Sequence, residues 1–138
     1  MQDEELAVVI GIMRTSNILT SDLKKNIKEY DINTTEFSVL EFLYHKGEKT
    51  IQQIRERILV ASGSTTYVVD NLEKKGYVIR KACDDDKRIY FVNLTDKGQK
   101  LITEIFPKHK ENTKKLFGDF SEEEIIQLKR LLKKIKTS

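Results

Sequence analysis

Apolar residues recur three or four positions apart along the first third of the chain. They would share one face of a helix, because an α-helix turns once every 3.6 residues. The pattern stops at residues 31–33, where Asp-Ile-Asn interrupts it. We therefore predict a long amphipathic helix before this point, with an apolar stripe formed by Leu6, Val9, Ile10, Met13, Leu19, Leu23, Ile27 and Tyr30.

Capping signals mark the starts of later helices. A Ser, Thr or Asn followed three residues later by Glu or Gln is typical of a helix N-terminus, because both side chains bind free backbone N–H groups there. Thr95 can cap a further long helix, which we expect to bend or break near Pro107. Three such pairs occur: Asn33 with Glu36, Thr50 with Gln53, and Ser121 with Glu124. They predict helices over residues 34–45, 51–57 and 122–136, respectively.

The centre of the chain combines a helical pattern with two β-type runs. Ser62 can cap a helix that runs to Lys75, and Gly76 can end it in the left-handed conformation. A helix followed by a charged β-hairpin is the layout of a winged helix. Such a module places its helix in the DNA major groove and its hairpin against the backbone or the minor groove. The first β-type run, the polar loop and the second run are residues 77–81, 83–88 and 89–94.

These elements predict a mainly α fold with a small β-hairpin wing (α+β class), in a single domain of residues 1–138. A winged helix-turn-helix over residues 33–94 would be flanked by long helices in residues 1–31 and 95–138. So small a module cannot cover the apolar stripes of both flanks. Their expected partner is the same helices of a second copy, so we predict a two-fold homodimer. Its DNA target would be a pseudo-palindromic operator in double-stranded DNA.

The helix that Ser62 can cap would present short polar side chains to DNA. Its free N–H groups and positive dipole end suit phosphate, and its hydroxyl groups suit phosphates or base edges. Helical spacing places Thr65 inward with Val68, within the same hydroxyl cluster. Such a cluster can also do no more than start a helix. With the hairpin, the candidate DNA contacts are Ser62, Gly63, Ser64, Thr65, Thr66, Tyr67, Asn71, Lys87 and Arg88.

The loop of the hairpin carries charges of both signs. Asp84 and Asp85 would repel DNA, whereas Lys87 and Arg88 would attract it. We expect Asp86 to pair with Arg88 or with a backbone N–H, and to orient the guanidinium toward a minor groove. A solvated charged turn is the alternative. A calcium site is disfavoured because the sequence lacks the spacing, the glycine and the distal glutamate of an EF-hand.

Composition narrows the class of protein. Charged residues form 34% of the chain, and the net charge of +3 permits nucleic-acid binding without requiring it. The single cysteine excludes an internal disulfide and fits a reducing compartment. The longest apolar stretch, residues 6–13, is far below the roughly 20 residues of a membrane span. We expect a cytoplasmic protein with no membrane contact, cofactor or metal; without a catalytic motif, an enzyme is not expected.

Five short segments together resemble one family of bacterial transcription factors. They are INTTEFSVL at 32–40, residues 62–80 with LEKKGYV at 72–78, DKR at 86–88, LTDKG at 94–98 and LLKKI at 131–135. On these residues the chain resembles the MarR family (multiple-antibiotic-resistance regulators) along nearly its whole length. The resemblance implies a homodimeric winged-helix repressor with an effector pocket between the dimer base and the DNA-binding lobe. It also implies that Arg88 is the family's minor-groove arginine and that Asp86 is its orienting partner.

Control by a small molecule is a further expectation. The chain is most similar to the branch of the family that responds to quinones and other phenolic compounds, which implies a small aromatic effector. Candidate ligand contacts near the apolar helix faces are Met13, Arg14, Asn17 and His45. Cys83 leaves a thiol-based redox sensor open as an alternative. A winged helix used only for protein contacts is another alternative, which a steep loss of duplex binding with salt would disfavour.

Overall fold

The computed structural model describes residues 3–58 and 65–136. Within these ranges the chain forms six helices and a small antiparallel sheet, as the mainly α class with a β wing predicted. In chain order the elements are α1 (Glu4–Asn26), α2 (Thr34–Lys46), β1 (Lys49–Thr50), α3 (Ile51–Ile58), α4 (Thr65–Lys74), β2 (Val78–Ala82), β3 (Tyr90–Leu94), α5 (Asp96–Leu116) and α6 (Glu122–Leu132).

The predicted capping pairs are present where they were expected. Asn33 and Glu36 form a complete capping box at the start of α2, and Ser121 with Glu124 forms the same box at the start of α6. Thr50 and Gln53 exchange the equivalent hydrogen bonds before α3, and Thr95 caps α5. Gly76, with φ of 83°, follows the end of α4 in a conformation that side chains with a Cβ rarely adopt.

Three helices differ from the prediction. The α1 helix ends at Asn26, so Ile27 and Tyr30 of the predicted stripe lie beyond it, where Ile27 is buried in the core. The α6 helix ends at Leu132 and not at residue 136; the chain then continues in tighter turns in which Lys134 and Ile135 bond three residues back. Within residues 3–58 and 65–136, no residue of α6 is buried, so little tertiary packing supports this end of the helix. The α5 helix is not interrupted at Pro107, which excludes the break but not the bend that the sequence also allowed. Ile105 before the proline is buried in the core, and Asn112 after it donates to Asn26 of α1.

The hairpin formed by β2 and β3 is the predicted wing. Its register pairs Val78 with Leu94 at the base and Ala82 with Tyr90 near the loop. The β1 strand, which was not predicted, adds two residues to the other side of β3, so the sheet order is β1-β3-β2. A strand of two residues is too short to show an alternating pattern in sequence.

The core lies around α2, which contacts α1, α3, α4, α5 and the sheet. The core cluster draws buried residues from α2, α3, α4, β2, β3 and the first half of α5, and from the segment between α1 and α2. The largest fully buried apolar side chains are Phe37, Leu40, Ile54, Leu72 and Ile102, with Ile105, Val39, Val69, Val78 and Val92.

The two outer helices lie largely outside this core, and only Leu23, near the end of α1, packs against it. Neither α1 nor α6 has a buried residue, although both carry apolar stripes. A groove of about 600 Å³ lies between α1, the end of α5 and α6. Its apolar lining residues are Val8, Ile12, Ile18, Leu19, Leu116, Phe117, Phe120, Leu128 and Leu132.

By length and composition alone, α1 could cross a membrane. Its most apolar 18-residue window has a mean hydropathy of 1.2, and none of that window is buried within the chain. The apolar stretch at residues 6–13 therefore understates the apolar part of the helix, because Ile18 and Leu19 follow it and few charged residues interrupt the window. A helix that packs against a second subunit would be equally exposed in a single chain.

Candidate nucleic-acid interface

The α4 helix presents a polar face away from the core. Thr66 and Tyr67 are exposed and Asn71 is half-buried, and their contact with DNA stays a prediction. Thr65 is 3% exposed, so its side chain packs inward, as helical spacing indicated, and cannot reach a base edge. The predicted contacts Ser62, Gly63 and Ser64 lie outside the described residues.

An ion-pair cluster attaches the wing to α4. The Arg80 guanidinium of β2 lies 2.6 Å from an Asp70 oxygen and 3.0 Å from a Glu73 oxygen. Glu73 also accepts the Arg80 backbone N–H at 3.0 Å. That backbone hydrogen bond and the guanidinium hold the pKa of Glu73 below its ordinary value. The wing therefore sits at a fixed position relative to α4, a role that the sequence pattern did not reveal.

At the wing tip, Asp86 binds Arg88 as predicted. One Asp86 oxygen accepts the Arg88 backbone N–H and Nε at 3.0 Å each, and the other accepts Nη2 at 3.0 Å. These bonds, chiefly those from the guanidinium, lower the pKa of Asp86. The Arg88 side chain is nevertheless 90% exposed, so it is oriented but remains accessible. Lys87 beside it is exposed too.

A groove of about 460 Å³ separates α3 and α4 from the wing. Arg80 and Arg88 line it, together with Arg55, which donates to the Gln52 side-chain oxygen at 3.0 Å instead of to a carboxylate. Arg55 and Gln52 were not among the predicted contacts. The sequence indicates only that Arg55 and Gln52 face outward on the short α3 helix, which does not identify them as DNA contacts. The complete lining is Thr50, Ile51, Gln52, Arg55, Thr66, Arg80, Arg88, Ile89 and Tyr90.

Cys83 lies where β2 gives way to the loop of the wing. It is half-buried, and its backbone N–H donates to the Ile89 carbonyl at 2.8 Å. The nearby Arg80 is bound to Asp70 and Glu73 on the α4 side. No group of three His, Cys, Asp or Glu side chains suited to a metal ion is found in residues 3–58 and 65–136.

The predicted ligand contacts do not line one cavity of the single chain. Met13 lies in a shallow apolar groove beside Ile135, Asn17 lies in a different groove beside Leu116, and Arg14 is exposed. His45 is exposed at the end of α2. Their role in binding stays a prediction.

Aromatic rings meet where α2 contacts α5. The His45 ring is 4.7 Å from the Phe106 ring and 5.1 Å from the Tyr44 ring, and the His109 ring meets the Phe37 ring edge to face at 5.0 Å. These two groups of rings each join α2 to α5, which are distant in sequence. Only His45 was among the predicted ligand contacts.

His109 also lines a cleft of about 260 Å³ between α1 and α5. Its Nδ1 lies 3.1 Å from the Asn26 amide nitrogen, and the Asn112 amide donates to the Asn26 oxygen at 2.5 Å. The cleft thus combines apolar walls with a hydrogen-bonding edge. Sequence reasoning missed His109, since nothing local distinguishes it from other polar positions of a long helix.

Comparison with known proteins identifies the family. The MarR family profile matches residues 32–90. The HTH-type transcriptional regulator MhqR of Bacillus subtilis (strain 168) is 42% identical over 135 residues, which cover 98% of this chain and 93% of MhqR. Among solved structures, the transcriptional regulator PA4135 is 26% identical with a TM-score of 0.82, covering 94% of this chain and 97% of that one. The structure of NadR in complex with 4-hydroxyphenylacetate is 24% identical with a TM-score of 0.85, covering 99% of each chain.

The match to MhqR extends over both outer helices as well as the winged helix, so it covers the whole architecture and not only the DNA-binding module. The relatives are transcriptional regulators, and the expectation that the chain is not an enzyme is confirmed through them. The chain belongs to the MarR family and is a DNA-binding transcriptional regulator with a winged helix-turn-helix.

Proposed function

We propose that this regulator is a homodimeric repressor that binds a pseudo-palindromic operator and is released by a small aromatic effector. The observation that carries the DNA-binding part is the arginine-lined groove between α3, α4 and the wing. Phosphate oxygens are anionic and guanidinium groups are their usual complement. Arg80 is bound to Asp70 and Glu73, so the groups available to DNA here are Arg55 and the 90% exposed Arg88.

The dimer is supported by the uncovered apolar surface of α1 and α6. Side chains such as Leu6, Met13, Ile126 and Leu132 are exposed in a single chain, and contiguous patches of this kind mark interfaces. A bilayer could cover α1 but would leave the stripe of α6 in water. A second copy covers both helices at once, because a two-fold interface uses the same surface on each subunit.

DNA binding should depend on Arg88 far more than on its neighbour. Replacing Arg88 by Ala removes the guanidinium that Asp86 orients, and we expect operator affinity to fall about 10- to 100-fold. Lys87→Ala is the matched control: it removes one exposed positive charge from the same loop and should cost a uniform, smaller factor across sequences. The measurement is fluorescence anisotropy with labelled operator and with a scrambled duplex at several salt concentrations.

Equal operator affinities for Arg88→Ala and wild type at physiological salt would contradict the wing's role. If wild type binds no duplex at any salt concentration, the winged helix instead serves protein contacts only.

The effector proposal is supported by the cleft between α1 and α5. An aromatic ring needs apolar walls and a few polar groups to orient it, and this cleft offers Leu19, Leu23 and Leu116 beside His109. NadR, which shares the fold, is solved with a phenolic acid. Met13, Arg14 and Asn17 lie on α1, the helix that forms one wall of the cleft, but outside the cleft lining, so we propose His109 and not these residues as its polar contact.

Substitutions at His109 and Cys83 separate two modes of control. We expect His109→Leu to weaken the effect of a quinone or phenol on operator affinity by about tenfold, because the ligand loses a hydrogen-bonding partner in a desolvated site. Cys83→Ser should keep most of the response. The measurement is operator affinity with and without ligand for each variant. Loss of the response in Cys83→Ser alone, with normal DNA binding, would make the thiol the sensor.

A further inference from the structure

Lys75, which follows the last residue of α4, binds two other parts of the chain. Its Nζ lies 3.0 Å from each carboxylate oxygen of Glu36, and it also donates to the backbone carbonyl of Asp31. Glu36 is 2% exposed, while the Lys75 side chain is 31% exposed. A nearly buried carboxylate needs a paired cation, so this contact is strongly favoured over hydration of Glu36 alone.

Glu36 connects this ion pair to the start of α2. The same carboxylate accepts the Asn33 backbone N–H at 2.9 Å, while the Glu36 N–H donates to the Asn33 side chain at 2.8 Å. Lys75 is thereby attached to the first turn of α2 and to the loop that leads from α1. No rotation of α4 is compatible with all these bonds unless α2 and that loop move with it.

Tyr77, just beyond α4, strengthens the attachment. Its hydroxyl donates to an Asp31 carboxylate oxygen at 2.6 Å. This hydrogen bond, together with burial and the Asp31 charge, raises the pKa of Tyr77 to about 12, so the hydroxyl remains a donor in any physiological condition. On the α5 side, Lys97 donates to the Lys75 carbonyl at 2.8 Å, and Thr95 donates to the Gly76 carbonyl at 2.6 Å.

The C-terminal end of α4 is therefore bound both to the junction of α1 with α2 and to the start of α5. The opposite end of α4 carries the residues that approach DNA. In the dimer proposed above, α1 and α5 belong to the helices that flank the winged helix, and the orientation of α4 relative to them decides how far apart the two α4 helices lie. A small rotation at the attached end would displace the DNA-facing end.

We propose that Asp31, Glu36, Lys75 and Tyr77 form a positioning lock that sets the half-site spacing the dimer accepts on DNA. The lock rests on the proposed dimeric, operator-binding function. Its residues touch no DNA; they act through the orientation of α4. A merely structural cluster would lower stability without changing which spacing is preferred.

The experiment compares operators that differ only in spacing. Wild type first selects its operator from a random duplex pool, and one base pair is then inserted between the half-sites, which shifts them by about 3.4 Å and rotates them by about 35°. The readout is the ratio of affinities for the natural and the lengthened operator. Lys75→Met removes the charge but keeps most of the side chain, and Tyr77→Phe removes only the hydroxyl. Lys74→Met is the matched control, since it removes an exposed lysine one residue earlier.

We expect the spacing ratio to fall about fivefold in Lys75→Met, and in the same direction in Tyr77→Phe, with the ratio unchanged in Lys74→Met. Affinity for a single half-site should stay at the wild-type value in all three variants. If Lys75→Met does not fold, as judged by near-ultraviolet circular dichroism, the Tyr77→Phe ratio decides.

Wild-type ratios in both lock variants would overturn the lock while leaving the proposed function intact. Wild type that is monomeric, or that selects no operator, would overturn the proposed function and the lock with it.

Discussion

Charged residues in place of Leu128 and Leu132 should convert the protein into a folded monomer. Both leucines line the groove between α1, α5 and α6, and α6 buries no residue within its own chain. The double substitution to Glu therefore leaves the core around α2 untouched but makes the second copy bury unpaired charges. Operator affinity should fall at least about a hundredfold, because the two half-sites are no longer bound by one connected molecule.

The measurement is sedimentation velocity, followed by operator binding. Gln127→Glu combined with Arg130→Gln is the matched control, because it makes the same change of net charge at exposed positions of the same helix. It should remain dimeric. A Leu128/Leu132 variant with the sedimentation coefficient of a wild-type dimer would place the interface elsewhere, and wild type that co-sediments with phospholipid vesicles would favour a membrane as the cover of α1.

Gly98→Ala should be among the most destabilising single substitutions in the chain. A Cβ at this position would lie 2.0 Å from the Tyr77 carbonyl oxygen and 2.9 Å from its carbonyl carbon. Both are backbone atoms, so the start of α5 would have to move and break the bond from the Thr95 N–H to the Tyr77 carbonyl. We expect a loss of at least about 3 kcal/mol in the free energy of unfolding.

Urea denaturation of Gly98→Ala and of Gln99→Ala provides the comparison. Gln99 is the next residue of α5 and is exposed, so its replacement should be nearly neutral. If Gly98 were not close to Tyr77, Gly98→Ala would stabilise the helix by about 1 kcal/mol, because alanine favours a helix over glycine. The close contact therefore reverses the sign of the expected effect. An unfolding midpoint for Gly98→Ala at or above that of wild type would contradict the close packing of α5 on Tyr77.

Local signals in the sequence were sufficient for most of the fold. Asn33 with Glu36 and Ser121 with Glu124 fixed two helix starts, because a capping box depends on four consecutive residues and little else. Gly76 marked the end of α4, because a glycine adopts the left-handed conformation that often follows a helix. The end of α6 was misjudged because the apolar pattern continues to Ile135, but that side chain is 64% exposed, so no burial within the described chain extends the helix to it.

The candidate sites were only partly predictable, because their geometry depends on distant residues. Asp86 and Arg88 are two positions apart, and their pairing was foreseen. Arg80 is bound to two carboxylates on a different element, and His109 meets Phe37 across 72 positions of sequence, so no spacing rule connects them. The ligand contacts predicted on α1 were chosen from one helix, although a cleft between helices needs both walls to be known.

The hydrogen bond from the Arg80 backbone to Glu73 also bears on solubility. The β2 strand is at the edge of its sheet, where free N–H and C=O groups can pair with a strand of another molecule and begin aggregation. Glu73 occupies one of these N–H groups and places a carboxylate against the edge, while Arg80 brings a guanidinium to the same place. An incoming strand would have to displace both charges. The wing can therefore project into solvent, as DNA binding requires, without offering an edge that recruits other wings.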